Sequence, residues 1–199
     1  MNRGVVQTGQ NSLMIENSDI AAATSSTSRL SRRLIWVVFA LAAVVIAADQ
    51  LSKWWAETNL GDGARIPVIG DLLSFQLVYN PGAAFSIGEE FTWVLTIIAA
   101  IAVVAIIRFA WGVESRAWAF ALGLLLGGAI THLGDRLFRD PGFARGHVVD
   151  FINYNGYFIG NIADIALVGG AILIVIISLM GIANRPEPVA ASDADAPVE

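Results

Sequence analysis

Two aspartates stand out for the company they keep. Asp150 lies between Val148-Val149 and Phe151-Ile152, and Asp164 lies in the run Asn161-Ile162-Ala163-Asp164-Ile165-Ala166. Neither has an arginine or lysine within four positions; the nearest is Arg145, five before Asp150. Two carboxylates brought together in a low-dielectric site cannot both ionise, so one pKa rises and the pair holds a single proton. One carboxylate can then deprotonate a water while the other protonates a carbonyl oxygen, which is the requirement for acid–base hydrolysis of a peptide. The same residue types suit a proton or ion relay, and spacing alone leaves both readings open.

Other chemistries are poorly supplied. The chain has no cysteine, so disulfides, thiolate metal sites and cysteine nucleophiles are absent. It has two histidines, His132 and His147, with no His-Glu-x-x-His spacing. No metal or organic cofactor is called for. No basic patch with interleaved aromatics suggests nucleic acid, and the net charge is −5.

The elements that must hold these aspartates are membrane helices. Of 199 residues, 56% are hydrophobic and 15% charged, against about 25% charged in a soluble domain. Mean hydropathy is +0.65. The fold class expected is an all-α polytopic membrane protein of one domain, with spans at about 33–56, 91–109, 117–138 and 158–183. Residues 1–28 are polar and read as a disordered arm. Residues 184–199, Asn-Arg-Pro-Glu-Pro onward, read as a disordered tail, leaving 29–183 as the membrane domain. Ser31-Arg32-Arg33-Leu34 with Ala47-Ala48 also fits a cleavable leader. The three further spans favour a retained first helix.

Four spans put both termini on one side with Arg29, Arg32, Arg33, Arg108, Arg116 and Arg185, and the positive-inside rule makes that side cytoplasmic. Two loops, about 57–90 and 139–157, then face outward. In the first, Arg65-Ile66-Pro67-Val68-Ile69 and Leu72 to Tyr79 are β-prone and read as short strands at the outer surface.

This topology gathers the polar residues into one layer. Asp49 and Lys53 end the first span, His132, Asp135 and Arg136 end the third, and Asn161 and Asp164 start the fourth. Asn80 and Asp150 lie in the outer loops. A charge at mid-bilayer costs about 2.5–3.5 kcal/mol on insertion scales, so such residues are paired, cavity-facing or functional. Asp49 and Lys53, spaced i, i+4, can pair, and a plain structural ion pair is the blander reading. Asp135 and Arg136 are adjacent and cannot face the same way, so Arg136 is expected to neutralise a carboxylate from another element. Gly123, Gly127 and Gly128 make a small-residue face for close helix packing.

Five blocks in order carry a resemblance: Asp49-Gln50-Leu51-Ser52-Lys53; Asn80-Pro81-Gly82-Ala83-Ala84-Phe85; Gly127-Gly128-Ala129 with Asp135-Arg136; Gly146-His147-Val148-Val149-Asp150-Phe151; and Asn161-Ile162-Ala163-Asp164. From about Arg33 to Ile182 the chain resembles bacterial lipoprotein signal peptidase (signal peptidase II), an aspartic protease of the plasma membrane. The resemblance implies four transmembrane helices and a small extracytoplasmic β-cradle. It implies a catalytic dyad at Asp150 and Asp164, with Asn80, Gly82, His132, Asp135, Arg136 and Asn161 as pocket residues. Asp49 and Lys53 would hold the pocket's architecture. The substrates implied are diacylglyceryl-modified prolipoproteins drawn from membrane lipid and cleaved just before the lipidated cysteine, with no obligate protein partner.

The chain departs from the family pattern in three places. Thr131-His132 stands for Gly-Asn, Gly160 stands for the Phe before Asn-x-Ala-Asp, and Gly134 stands where a bulkier residue is common. Gly160 is expected to remove an aromatic wall from the pocket. These departures motivate one rival reading, a catalytically impaired paralogue that binds prolipoproteins; the carboxylates themselves leave a second, a small transporter or proton relay.

Overall fold

The computed structural model describes residues 33–82 and 91–185, apart from the Asp62 side chain. The expected arm at 1–28, the tail from 186 onward and the Ala83-Ala84-Phe85 part of the second block lie outside the described residues.

Four helices are long and apolar enough to cross a membrane: α1 (Arg33–Asn59), α2 (Thr92–Ala110), α3 (Arg116–Phe138) and α4 (Ile162–Leu179). Half of the most apolar stretch of α3 is buried inside the protein, far more than in its neighbours, so α3 is the central helix. Its glycines set the packing distances. A Cβ on Gly127 would come within 2.6 Å of Val45 Cβ on α1, and one on Gly128 within 2.6 Å of Leu167 Cγ on α4. The small-residue stripe thus serves two neighbours, Gly123 and Gly127 meeting α1 and Gly128 meeting α4. Leu34, Val38, Ala110, Val113, Ala119 and Leu122 form a core at the end of the bundle where α1 and α3 begin and α2 finishes.

At the opposite end the two long connections join in one antiparallel sheet, β1 (Arg65–Ile69), β2 (Leu73–Asn80), β3 (Val148–Tyr154) and β4 (Phe158–Gly160), in that spatial order. The strands β1 and β2 match the β-prone pattern of the first loop. Two expectations need correction. The segment 139–157, read as a plain outer loop, contains β3, which pairs with β2 through Val78↔Asp150 and Asn80↔Val148. Covered on both sides, β3 is buried continuously from Val148 through Asn153, so it lacks the polar–apolar alternation of a half-exposed strand. The fourth helix, expected from about 158, begins at Ile162, because Phe158–Gly160 is taken by pairing with β3. It also stops before 183. Gly181, at φ +69°, donates to Ser178 O, and Ile182 donates to Ile177 O, which closes the last turn.

Candidate active site

The sheet end of the bundle holds the polar layer, and it is built in two tiers. The inner tier is an ion cluster sealed from solvent. Lys53 Nζ sits 2.6 Å from Asp49 Oδ2 and 2.7 Å from Asp135 Oδ2, with Asp49 and Lys53 fully buried. Each carboxylate then reaches a further element. Asp49 Oδ1 accepts the Ala163 N–H at the start of α4 (2.9 Å). Asp135 accepts from Gln50 on α1 (3.1 Å), from Arg139 Nε (2.8 Å) and from the Val149 N–H on β3 (3.3 Å). Arg139 in turn pairs with Glu57. One lysine therefore fixes α1, α3, β3 and α4 relative to one another, and its burial is tolerable because its charge is matched and its partners' oxygens are filled.

The outer tier faces a partly open cavity of about 330 Å³, whose wall includes Asn80, Gly82, His132, Arg136, Asp150 and Asp164. Asp150 comes from the middle of β3. Asp164 sits at the third position of α4, where Asn161 caps the helix. The Asn161 side chain accepts the Asp164 N–H (3.0 Å), and Asp164 Oδ2 accepts the Asn161 N–H (2.9 Å), a reciprocal capping box. The cap also reaches across to the other aspartate. Asn161 Nδ2 donates to Asp150 Oδ1 at 2.6 Å, and Asn80 Nδ2 donates to Asp150 Oδ2 at 2.9 Å. His132 Nε2 lies 3.1 Å from Asp164 Oδ1.

Burial pushes the Asp150 carboxyl up to about 6, and the nearby Asp164 charge pushes in the same direction. The bonds from Asn80 and Asn161 and the nearness of His132 hold it down. The Tyr154 phenol, on the same strand, is also raised by burial and by Asp164.

Of the ten residues singled out in the sequence, six line this cavity. Asp49, Lys53 and Asp135 lie behind it in the inner tier, and Asn161 is a buried bridge. The carboxylate of another element expected to face Arg136 is Asp150 of β3, whose charge acts on the guanidinium without direct contact. Among the described residues Arg136 forms no ion pair; its guanidinium donates to the carbonyls of Pro81 (3.1 Å), Gly146 (3.4 Å) and Gly82. It therefore ties the 80–82 turn to α3 and meets the Asp150 charge through space, with no direct ion pair. Sequence reasoning did not single out the apolar side of the cavity, where Leu95 and Ile98 of α2, Leu167 of α4 and Phe158 of β4 stand. It also did not single out Arg139, although that residue lies four after Asp135 on the same helix face.

A four-span membrane bundle that presents two carboxylates to one cavity beneath a small sheet has the equipment of an intramembrane aspartic hydrolase. Comparison with known proteins gives the family: the chain belongs to signal peptidase (SPase) II, whose pattern it matches over residues 41–180. It is 45% identical over 151 residues to the lipoprotein signal peptidase of Rhodococcus jostii, covering 76% of this chain and 75% of that one. Against that of Mycobacterium avium it is 45% identical over 160 residues, covering 79% and 88%. Against that of Streptomyces griseus it is 44% identical over 167 residues, covering 84% and 85%. A solved bacterial membrane enzyme superposes with a TM-score of 0.66 at 31% identity, covering 77% of this chain and 93% of that one. The protein is therefore a bacterial membrane protein of the signal peptidase II family.

Proposed function

We propose that the chain removes signal peptides from diacylglyceryl-modified prolipoproteins, with Asp150 and Asp164 as its catalytic pair. The observation that carries this reading is the shared cavity, in which a carboxyl titrating at about 6 lies in the field of a second one. Such a pair keeps one proton up to about pH 6, and its acid and base roles belong to the pair rather than to either residue.

The pair takes a proton from a water as its oxygen bonds to the scissile carbonyl carbon, and gives a proton to the carbonyl oxygen. The resulting diol collapses, the C–N bond breaks, and the leaving amine takes up a proton. Asn80 and Asn161 orient Asp150, the α4 cap and His132 orient Asp164, and Arg136 holds the 80–82 turn at the cavity rim. The substrate's apolar signal segment enters laterally between helices, and cleavage falls before the lipidated cysteine. Arg33, Arg108, Arg116 and Arg185 belong to the end of the bundle away from the sheet, which supports cytoplasmic termini and an extracytoplasmic site in the plasma membrane.

The test is cleavage of a synthetic diacylglyceryl lipobox peptide by the purified protein. The expected product ends immediately before the lipidated cysteine, and Asp150→Asn and Asp164→Asn each lower turnover by about 10²–10⁴. Full processing by either variant sinks the dyad. Tight binding without turnover in the parent protein points instead to an impaired paralogue, and ion flux in liposomes without cleavage points to a transporter.

A further inference from the structure

Position 160, where the family pattern carries Phe, is glycine here, yet the cavity has not lost its aromatic wall. Residues 158 and 160 lie two apart on β4 and so share a face of the strand. A Cβ built on Gly160 would fall 2.7 Å from Phe158 Cε1 and 2.8 Å from Asp164 Oδ2. The space beside Gly160 is therefore already filled, by the edge of the Phe158 ring and by the carboxylate itself. Any side chain at 160 would displace one or the other.

The ring is held in place from behind. Phe158 pairs across the strands with Tyr154, and the two rings stack at a centroid distance of 5.9 Å and an interplanar angle of 22°. Phe158 also borders two spaces. One is the 330 Å³ cavity facing the helices; the other, of about 300 Å³, faces the sheet and is bordered by Val78, Gly156 and Tyr157. Asn80, Asp150 and Phe158 line both, so these three form the partition between them. Asn80 and Asp150 are joined to each other by a hydrogen bond. Phe158 is the apolar member of the three and supplies bulk without acid–base chemistry.

We propose that Phe158, admitted by Gly160, is a specificity-determining residue that limits the size of the substrate side chain next to the scissile carbonyl. A carbonyl presented to Asp150 and Asp164 places its own residue's side chain against this partition, and the Tyr154 ring stacked on Phe158 opposes its retreat. The inference rests on the peptidase reading and refines it: the aromatic wall is supplied from two residues earlier on the same strand face.

The test uses the full-length protein and two diacylglyceryl lipobox peptides that differ only in the residue before the lipidated cysteine, alanine in one and leucine in the other. Hydrophobic pockets discriminate about 10–200-fold per methylene group. Phe158→Ala is therefore expected to raise the leucine-to-alanine ratio of kcat/KM by about tenfold or more, chiefly through KM for the leucine peptide, with Phe158→Leu intermediate. A ratio that stays within about twofold of the parent in both variants overturns the proposal. So does an equal loss on both peptides, which marks a purely structural ring. Should Phe158→Ala not be recovered folded, Phe158→Leu and Phe158→Val decide by the same ratio. Failure of the parent protein to cleave the alanine peptide refutes the peptidase reading instead, so the two failures are told apart.

Discussion

Asp150 gives the sharpest prediction, because its chemistry and its effect on stability have opposite signs. Its carboxyl titrates at about 6 in the folded protein against an ordinary 3.8, through burial first and the Asp164 charge second. Between those values the folded state binds a proton that the unfolded state has released. Stability therefore falls as pH rises through this window and levels off above it. At about 1.4 kcal/mol per tenfold change, the rise amounts to about 3 kcal/mol of destabilisation at pH 7, absent below about pH 4. Asp150→Asn removes the ionisation. Its amide must also face the donors of Asn80 and Asn161, which costs about 1–3 kcal/mol, but that cost does not vary with pH. The readout is thus the slope. Unfolding free energies of parent and variant in detergent, measured from about pH 4 to 7, should diverge by about 3 kcal/mol in favour of the variant as pH rises. The same variant should cleave about 10²–10⁴-fold more slowly. Asp164→Asn removes a charge that pushes Asp150 up, so it should narrow the window over which stability falls. Stability curves for parent and Asp150→Asn that run parallel across this range would refute the burial argument.

Three further outcomes follow from the inner tier and its neighbours. Lys53→Ala leaves Asp49 and Asp135 buried without their shared cation and should cost about 3–5 kcal/mol of stability, read by thermal unfolding in detergent. Asn161→Ala removes both the α4 cap and a donor to Asp150. A stability loss of about 1 kcal/mol should accompany a larger fall in peptide turnover, since the Asp150 carboxyl, proposed as one of the catalytic pair, also loses its 2.6 Å bond. Gly128→Ala places a Cβ 2.6 Å from Leu167 Cγ and 2.8 Å from Ala163 O, so α3 and α4 must separate. That should cost about 1–3 kcal/mol and lower Tm.

The sequence by itself determined that four spans exist, that the polar residues gather at one end, and which polar side chains line the cavity. The reason is physical: a bilayer tolerates charge so poorly that polar residues near a span are few, and the few are informative. Helix periodicity likewise made the Asp49–Lys53 pair legible. Tertiary structure alone decided which carboxylate meets which donor. Lys53 reaches Asp135 across 82 positions, and Asn80 reaches Asp150 across 70; no local pattern encodes such pairings. It also decided that Asp150 rides on a strand, because burial on both faces erases the alternation by which a strand is usually read. The aromatic wall shows the same divide most clearly. Sequence records a missing ring at Gly160, whereas the pleat of β4 lets Phe158 fill that space, a substitution visible only once both residues share one face.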